Sequence, residues 1–112
     1  MDDSLTHLFR GTLHLLILRT LAVGELHGYA IAARLAGRTR GEVELEDGAL
    51  YQALHRMEER GWLESDWGHA DNGRRARFYR LTRAGRRRLE VETGNWTRFA
   101  TIINRALAPA TP

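Results

Sequence analysis

The chain has 112 residues, with 17 Lys+Arg against 14 Asp+Glu, and no cysteine. That length is one domain's worth, and 43% hydrophobic residues are enough for a modest core. Disulfide and thiolate chemistry are excluded, and a reducing, cytoplasmic setting is the expectation. No apolar run reaches the length of a membrane span and no signal peptide is recognised, so no membrane partner is expected. The formal net charge of +3 is unevenly spread. Residues 1–73 hold 7 Arg against 12 acidic residues, whereas residues 74–112 hold 10 Arg against 2 Glu. From Arg74 to Arg88 eight of fifteen positions are Arg and none is acidic. Such a run marks either a polyanion partner or a solvated helix face.

In chain order, Asp2, Asp3 and Ser4 open an N-terminal helical segment. Gly11-Thr12 then precede a run from Leu13 to Val23 that is apolar around most of a helix, unlike a one-sided surface helix. One side can face the chain's own core. The other, through Leu13 and Leu16, calls for a second subunit unless the helix is central in a monomer. Gly24 ends it. His27-Gly28 turns into a second helix from Tyr29 to Ala36, with Ile31, Ala32 and Leu35 on its apolar side, and Gly37 to Gly41 break it. Glu42-Val43-Glu44-Leu45 alternate in the manner of a very short strand.

Asp47 is placed to cap a third helix. Leu50, Leu54 and Met57 recur along it at i, i+4 and i+7 as one buried face, while Gln52, His55, Arg56 and Glu59 fall on the other. Gly61 is its C-cap candidate. The period then changes to two: Leu63, Ser65 and Trp67 share one face, Trp62, Glu64 and Asp66 the other. Asn72-Gly73 signals a hairpin, and Arg77 to Leu81 is the return strand. Thr82 caps a last helix running to about Leu107, where Pro109 stops it. Leu89, Trp96 and Ile103 stand seven apart on it, and Phe99, Ala100, Ala106 and Leu107 widen the stripe. A seam of that kind at a chain end argues for pairing with another chain. Gly94 interrupts it, as a kink or a close helix crossing.

The expected fold class is mostly α with a small β-hairpin (α+β). It divides into a winged helix-turn-helix over residues 1–82, an integrated C-terminal dimerisation helix over 83–108, and a tail at 109–112. A helix fits the major groove of B-DNA, about 12 Å wide. The hairpin tip from His69 to Arg75 would then straddle neighbouring phosphates or reach a minor groove; phosphate contacts supply affinity while base edges supply specificity.

The residues from Leu50 to Leu63, the triplet His27-Gly28-Tyr29, and the block from Arg74 to Gly85 resemble the PadR-type transcriptional regulators, in order and in spacing. The resemblance covers about Gly11 to Leu107, and the short C-terminal region is similar to the subfamily with one dimerisation helix. It implies a homodimeric, ligand-responsive repressor on a pseudo-palindromic operator in double-stranded DNA. It also implies Tyr29 and Tyr51 as phosphate contacts, with core packing the other reading of Tyr51. Where family members carry Ser or Thr at the start of the recognition helix, this chain has Glu46, Asp47 and Ala49. With Glu42 and Glu44 they form an acidic approach, whose carboxylates must either cap the helix or repel phosphate.

The expected DNA contacts are thus Tyr29, Ala49, Tyr51, Gln52, His55, Arg56, Arg74, Arg75 and Arg77. Arg56 has an alternative partner in Glu59. Arg86, Arg87 and Arg88 read as solvated. The expected dimer residues are Leu13, Leu16, Leu89, Trp96, Phe99 and Ile103. By the same resemblance, Trp96 and Phe99 stack a small aromatic or hydrophobic effector, unless they simply fill the dimer core. The five histidines show no metal-ligand spacing, and no nucleophile, base and acid are grouped, so neither a cofactor nor an enzyme is expected. The competing reading is a winged-helix module that docks a protein through Trp62 and Trp67 without specific DNA binding.

Overall fold

The structure, a computed structural model, describes residues 12–110. The helix expected at Asp2 lies outside them. The elements are α1 (Leu13–Leu21), β1 (Leu26–His27), α2 (Gly28–Arg38), α3 (Asp47–Glu59), β2 (Leu63–His69), β3 (Arg75–Leu81) and α4 (Arg83–Leu107). The apolar faces read from the sequence meet in one core. Ile17, Leu18 and Leu21 of α1 pack with Ile31 of α2, with Leu50, Ala53, Leu54 and Met57 of α3, and with Leu63, Tyr79 and Leu81 at the base of the hairpin. Thr20 is buried among them, and its hydroxyl donates to the Leu16 carbonyl at 2.7 Å. A buried hydroxyl without such a bond would cost stability.

The hairpin pairs Leu63 with Leu81 at its base and His69 with Arg75 at its far end. Because side chains alternate across a strand, Leu63, Ser65, Trp67, Arg75, Arg77, Tyr79 and Leu81 share one face. That face is buried at the base and becomes cationic and aromatic toward the tip. The opposite face carries Arg80, which bonds Asp66 at 2.7 Å and Glu64 at 3.2 Å and approaches Glu25 at 3.4 Å. The hydrogen bond to Asp66 raises the Arg80 pKa further.

Several boundaries differ from the sequence reading. The first helix stops at Leu21, so Val23 lies beyond it and is exposed. The sheet has three strands in the order β1-β3-β2, because Leu26 and His27 pair with Tyr79 and Phe78. Glu42 to Leu45 is not a strand. Val43 is buried there, and its N–H is taken by the Thr39 hydroxyl at 3.1 Å, which removes the need for a strand partner. Helix α2 runs through Gly37 to Arg38, and the return strand begins at Arg75 rather than Arg77. The N-cap of α3 is Glu46, without a side-chain bond, and Asp47 is its first helical residue. There its charge suits the positive end of the helix dipole but closes no capping bond.

The end of α3 is closed by a Schellman arrangement. Gly61 takes φ +77, its N–H donates to Glu58, and the Trp62 N–H reaches back to Met57 at 3.0 Å. The same turn receives α4. Thr82 donates its N–H to the Trp62 carbonyl at 3.0 Å and its hydroxyl to the Gly61 carbonyl at 2.6 Å, and accepts the Gly85 N–H at 3.0 Å. A Cβ at Gly85 would overlap the Trp62 carbonyl oxygen. Helix α4 continues unbroken through Gly94, where a Cβ would meet nothing, so no close crossing occurs there within the described residues.

Two outcomes follow from this junction. Gly85→Ala is expected to destabilise the fold by about 1–3 kcal/mol or more, read by urea denaturation. An unchanged midpoint would contradict the close approach at Trp62. His14, edge-on to Trp62 with ring centroids 5.8 Å apart, has its pKa lowered from 6.5 by burial and then by Arg56 and Arg60. The unfolded chain therefore takes the proton first as pH falls. Stability is undiminished above the unfolded value and declines as pH drops below it. His14→Gln should flatten the fall of Tm between about pH 7 and 5 relative to the parent. Parallel Tm curves would remove His14 as the cause.

Candidate nucleic-acid interface

With its apolar face committed to the core, α3 presents Ala49, Gln52, His55 and Arg56 to solvent. His55 lies 3.2 Å from Glu59, and this i,i+4 pair replaces the alternative in which Arg56 takes Glu59. Arg56, Gln52 and Ala49 form no side-chain hydrogen bond or ion pair among the described residues. Tyr51 is half-exposed and leans over the start of α2: a Cβ at Gly28 would sit 2.8 Å from its hydroxyl oxygen. Tyr51 is therefore not a core residue. His27 caps α2 by accepting the Ala30 N–H on Nδ1 at 3.2 Å, and it packs edge-on against Phe78. The next residue but one, Tyr29, is 79% exposed. The triplet thus combines a cap, a glycine that admits the Tyr51 ring, and an outward tyrosine.

His27, Gly28, Tyr29 and Tyr51 border an open cleft of about 1220 Å³ between the start of α2, α3 and the inner face of the hairpin, whereas Ala49, Gln52, His55 and Arg56 do not line it. Tyr29, Arg34, Tyr51, Trp67, Arg74, Arg75 and Arg77 all line it. Arg74 has no side-chain partner among the described residues, and its backbone N–H is held by the Asn72 side chain at 3.0 Å. Arg75 lies over the Trp67 ring at 4.5 Å. Arg77 is engaged: its Nε donates to the Ser65 hydroxyl at 2.7 Å, and its guanidinium approaches Glu58 at 3.6 Å. Arg34, Trp67, Ser65 and Glu58 were absent from the sequence-derived site. Burial raises the pKa of Tyr79 at the cleft floor, so its phenol stays neutral in the ordinary pH range.

The acidic approach does not turn inward. Glu42, Glu44, Glu46 and Asp47 are exposed and form no ion pair or side-chain hydrogen bond among the described residues. Glu44 and Asp47 border a second, smaller cleft beside Tyr29 and Tyr51. Trp62 and Trp67 have separate surroundings. Trp62 is half-buried between Arg60 and Arg88, at 5.2 and 5.0 Å, whereas Trp67 is 57% exposed on the wing. The two do not form one docking patch. Arg88 also bonds Glu92 at 2.6 Å, and Arg86 and Arg87 are exposed.

Leu13 and Leu89 pack partly against the core, and Leu16 is half-buried, so these three are already partly covered within one protomer. Beyond them α4 carries Trp96, Phe99, Ile102, Ile103 and Leu107 in the open. The Trp96 and Phe99 rings lie 5.8 Å apart at 34°. No helix among the described residues is long and apolar enough to cross a membrane, and no three potential metal ligands cluster there.

Gly28→Ala is expected to displace the Tyr51 ring at a cost of about 1 kcal/mol or less. Affinity for duplex DNA should fall more than stability does, as read by fluorescence anisotropy beside a thermal melt. Equal, small effects on both would detach Tyr51 from the interface.

The sequence matches the transcriptional regulator PadR-like family over residues 17–91. A PadR-family transcriptional regulator from Eggerthella lenta superposes with a TM-score of 0.83 at 28% identity, covering 96% of this chain and 92% of that one. A PadR-family regulator from Clostridium difficile gives 0.75 at 30% identity, covering 87% and 99%. Bacillus subtilis PadR, solved in complex with operator DNA, shares the fold at a TM-score of 0.62 and 21% identity; the match covers 89% of this chain and 49% of that one. The chain belongs to the PadR-like family, whose members regulate transcription and are not enzymes.

Proposed function

We propose that this chain is a homodimeric repressor that binds a pseudo-palindromic operator through α3 and the wing. The observation that carries the reading is the shared cleft. Tyr51 of α3, Tyr29 and Arg34 of α2, and the wing arginines Arg74 and Arg75 all line it. Helix and cationic hairpin so placed match a major groove and the phosphates beside it. The operator complex of Bacillus subtilis PadR, on the same fold, supports duplex DNA as the partner class.

Pairing through α4 is supported by its exposed stripe of Trp96, Phe99, Ile102, Ile103 and Leu107, which has no cover within the described residues. Two such protomers would place their α3 helices on half-sites about 10 bp apart or a multiple of that. Release by a small aromatic or hydrophobic effector is supported by the half-exposed Trp96 and Phe99 pair, a surface on which a planar molecule can stack.

The test is retardation of a duplex taken from the region upstream of the gene, alongside sedimentation at micromolar concentration. A dimer that retards the duplex is expected. The logarithm of affinity should fall by about 0.9 per neutralised phosphate for each tenfold rise in salt. The Arg74→Ala/Arg75→Ala double variant should weaken binding across sequences and flatten that slope by up to about two phosphates. A lone protomer, or no retardation at low salt, would overturn the reading.

A further inference from the structure

Among the arginines that line the cleft face of the wing, Arg77 is the one paired with a carboxylate among the described residues. Its Nε donates to the Ser65 hydroxyl at 2.7 Å, and that hydroxyl donates to the Glu58 carboxylate at 2.8 Å. Its Nη2 also lies 3.6 Å from the same carboxylate oxygen. Its guanidinium carbon stands 5.6 Å from the Trp67 ring centre, with Arg75 at 4.5 Å from that ring. The contacts form one line from the last turn of α3 across both hairpin strands to Arg75. The links within the hairpin are set by register: Arg77 pairs with Trp67 across the strands, and Ser65 lies on the same face one step nearer the core.

We propose that Arg77 is not a phosphate contact but a positioning residue. Held by Glu58 and Ser65, it fixes the wing at a set angle to the recognition helix and keeps Trp67 placed to orient Arg75 toward the DNA backbone. The chemistry fits a guanidinium and not an ammonium. A planar fork can bond Ser65 through Nε, face Glu58 through Nη2 and lie beside an indole, whereas a lysine offers one point charge. Glu58 then has a clear purpose beside a polyanion site, where an unpaired carboxylate would be adverse. The inference rests on the DNA-binding reading above.

The experiment separates the two by the sign of one effect. If charge alone governs binding, Glu58→Ala removes a carboxylate near the phosphates and frees Arg77, so affinity for the upstream duplex rises. If Arg77 positions the wing, Glu58→Ala weakens binding, by roughly fivefold to tenfold for groups in one hydrogen-bonded network. Ser65→Ala should act in the same direction and spares both charges. Arg77→Lys should behave like Arg77→Ala, and the Glu58→Ala/Arg77→Ala double variant should be no weaker than Arg77→Ala alone. Tighter or unchanged binding by Glu58→Ala overturns the positioning role. So does full binding by Arg77→Lys with a salt slope lowered by about 0.9 in Arg77→Ala, the mark of a lost phosphate contact. Failure of the unaltered protein to retard the duplex removes the DNA-binding reading itself, and this inference with it.

Discussion

The molecule turns on the few atoms where α3 ends. Gly61 in the left-handed region lets the chain reverse, and the Trp62 carbonyl then accepts the Thr82 N–H with Gly85 packed beside it. One peptide thus joins three things: the end of α3, the first residue before the wing, and the cap of the long C-terminal helix. Above it, the Trp62 ring is held by Arg60 from the α3 side, Arg88 from α4 and His14 from α1. Backbone bonds and ring contacts therefore act at the same point. Cation–π contacts at partly exposed sites are worth only about 0.5–1 kcal/mol each. The steric exclusion at Gly85 is the stricter constraint, because no rotamer relieves it.

The arginines divide by partner. Arg80 is saturated by three carboxylates on the outer sheet face, and Arg88 is tied to Glu92. Arg77 is held by Ser65 and Glu58. Arg56 and Arg74 carry charge with no internal acidic partner among the described residues, and Arg75 rests only on an indole. The basic character of residues 74–88 is thus smaller in effect than its count implies, and what is unpaired among the described residues divides between Arg74 and Arg75 at the wing tip and Arg83, Arg86 and Arg87 at the start of α4. Across the cleft, Glu44, Glu46 and Asp47 remain unneutralised among the described residues. The proposed interface is mixed in sign, which would lower attraction to arbitrary duplex and leave more of the binding to geometry.

What the sequence made legible was local. The stripe of Leu50, Leu54 and Met57, the glycine cap at 61, the Asn72-Gly73 hairpin and the Thr82 cap are each decided by neighbours within a few residues, and each stands in the structure. What it hid was decided across the chain. Leu26 and His27 are strand only because Tyr79 and Phe78 lie beside them, and two residues show no period. Glu42 to Leu45 show the period but have no strand to pair with. The site followed the same division. Arg74 and Arg75 were visible as a charge run. The link from Glu58 through Ser65 to Arg77 was not, since it joins three elements through side chains with no common spacing. The register was hidden too: a two-residue Asn72-Gly73 turn would set Arg77 opposite Gly68, whereas Ala70 bonds Arg74 across the loop and so brings Arg77 opposite Trp67.

Along α4, only Gly85 is buried within the chain, and from Thr93 onward all but Ala100 are exposed. A stretch of that size without tertiary cover is marginal as a helix in water. Its outer half therefore has little stability of its own to draw on, and a surface packed against it would hold it wound. In the proposed dimer, coil and helix in this arm would be a function of how much protein is present: scarce chains would carry a frayed limb and abundant ones a formed strut. Cellular dosage would then set shape as well as occupancy.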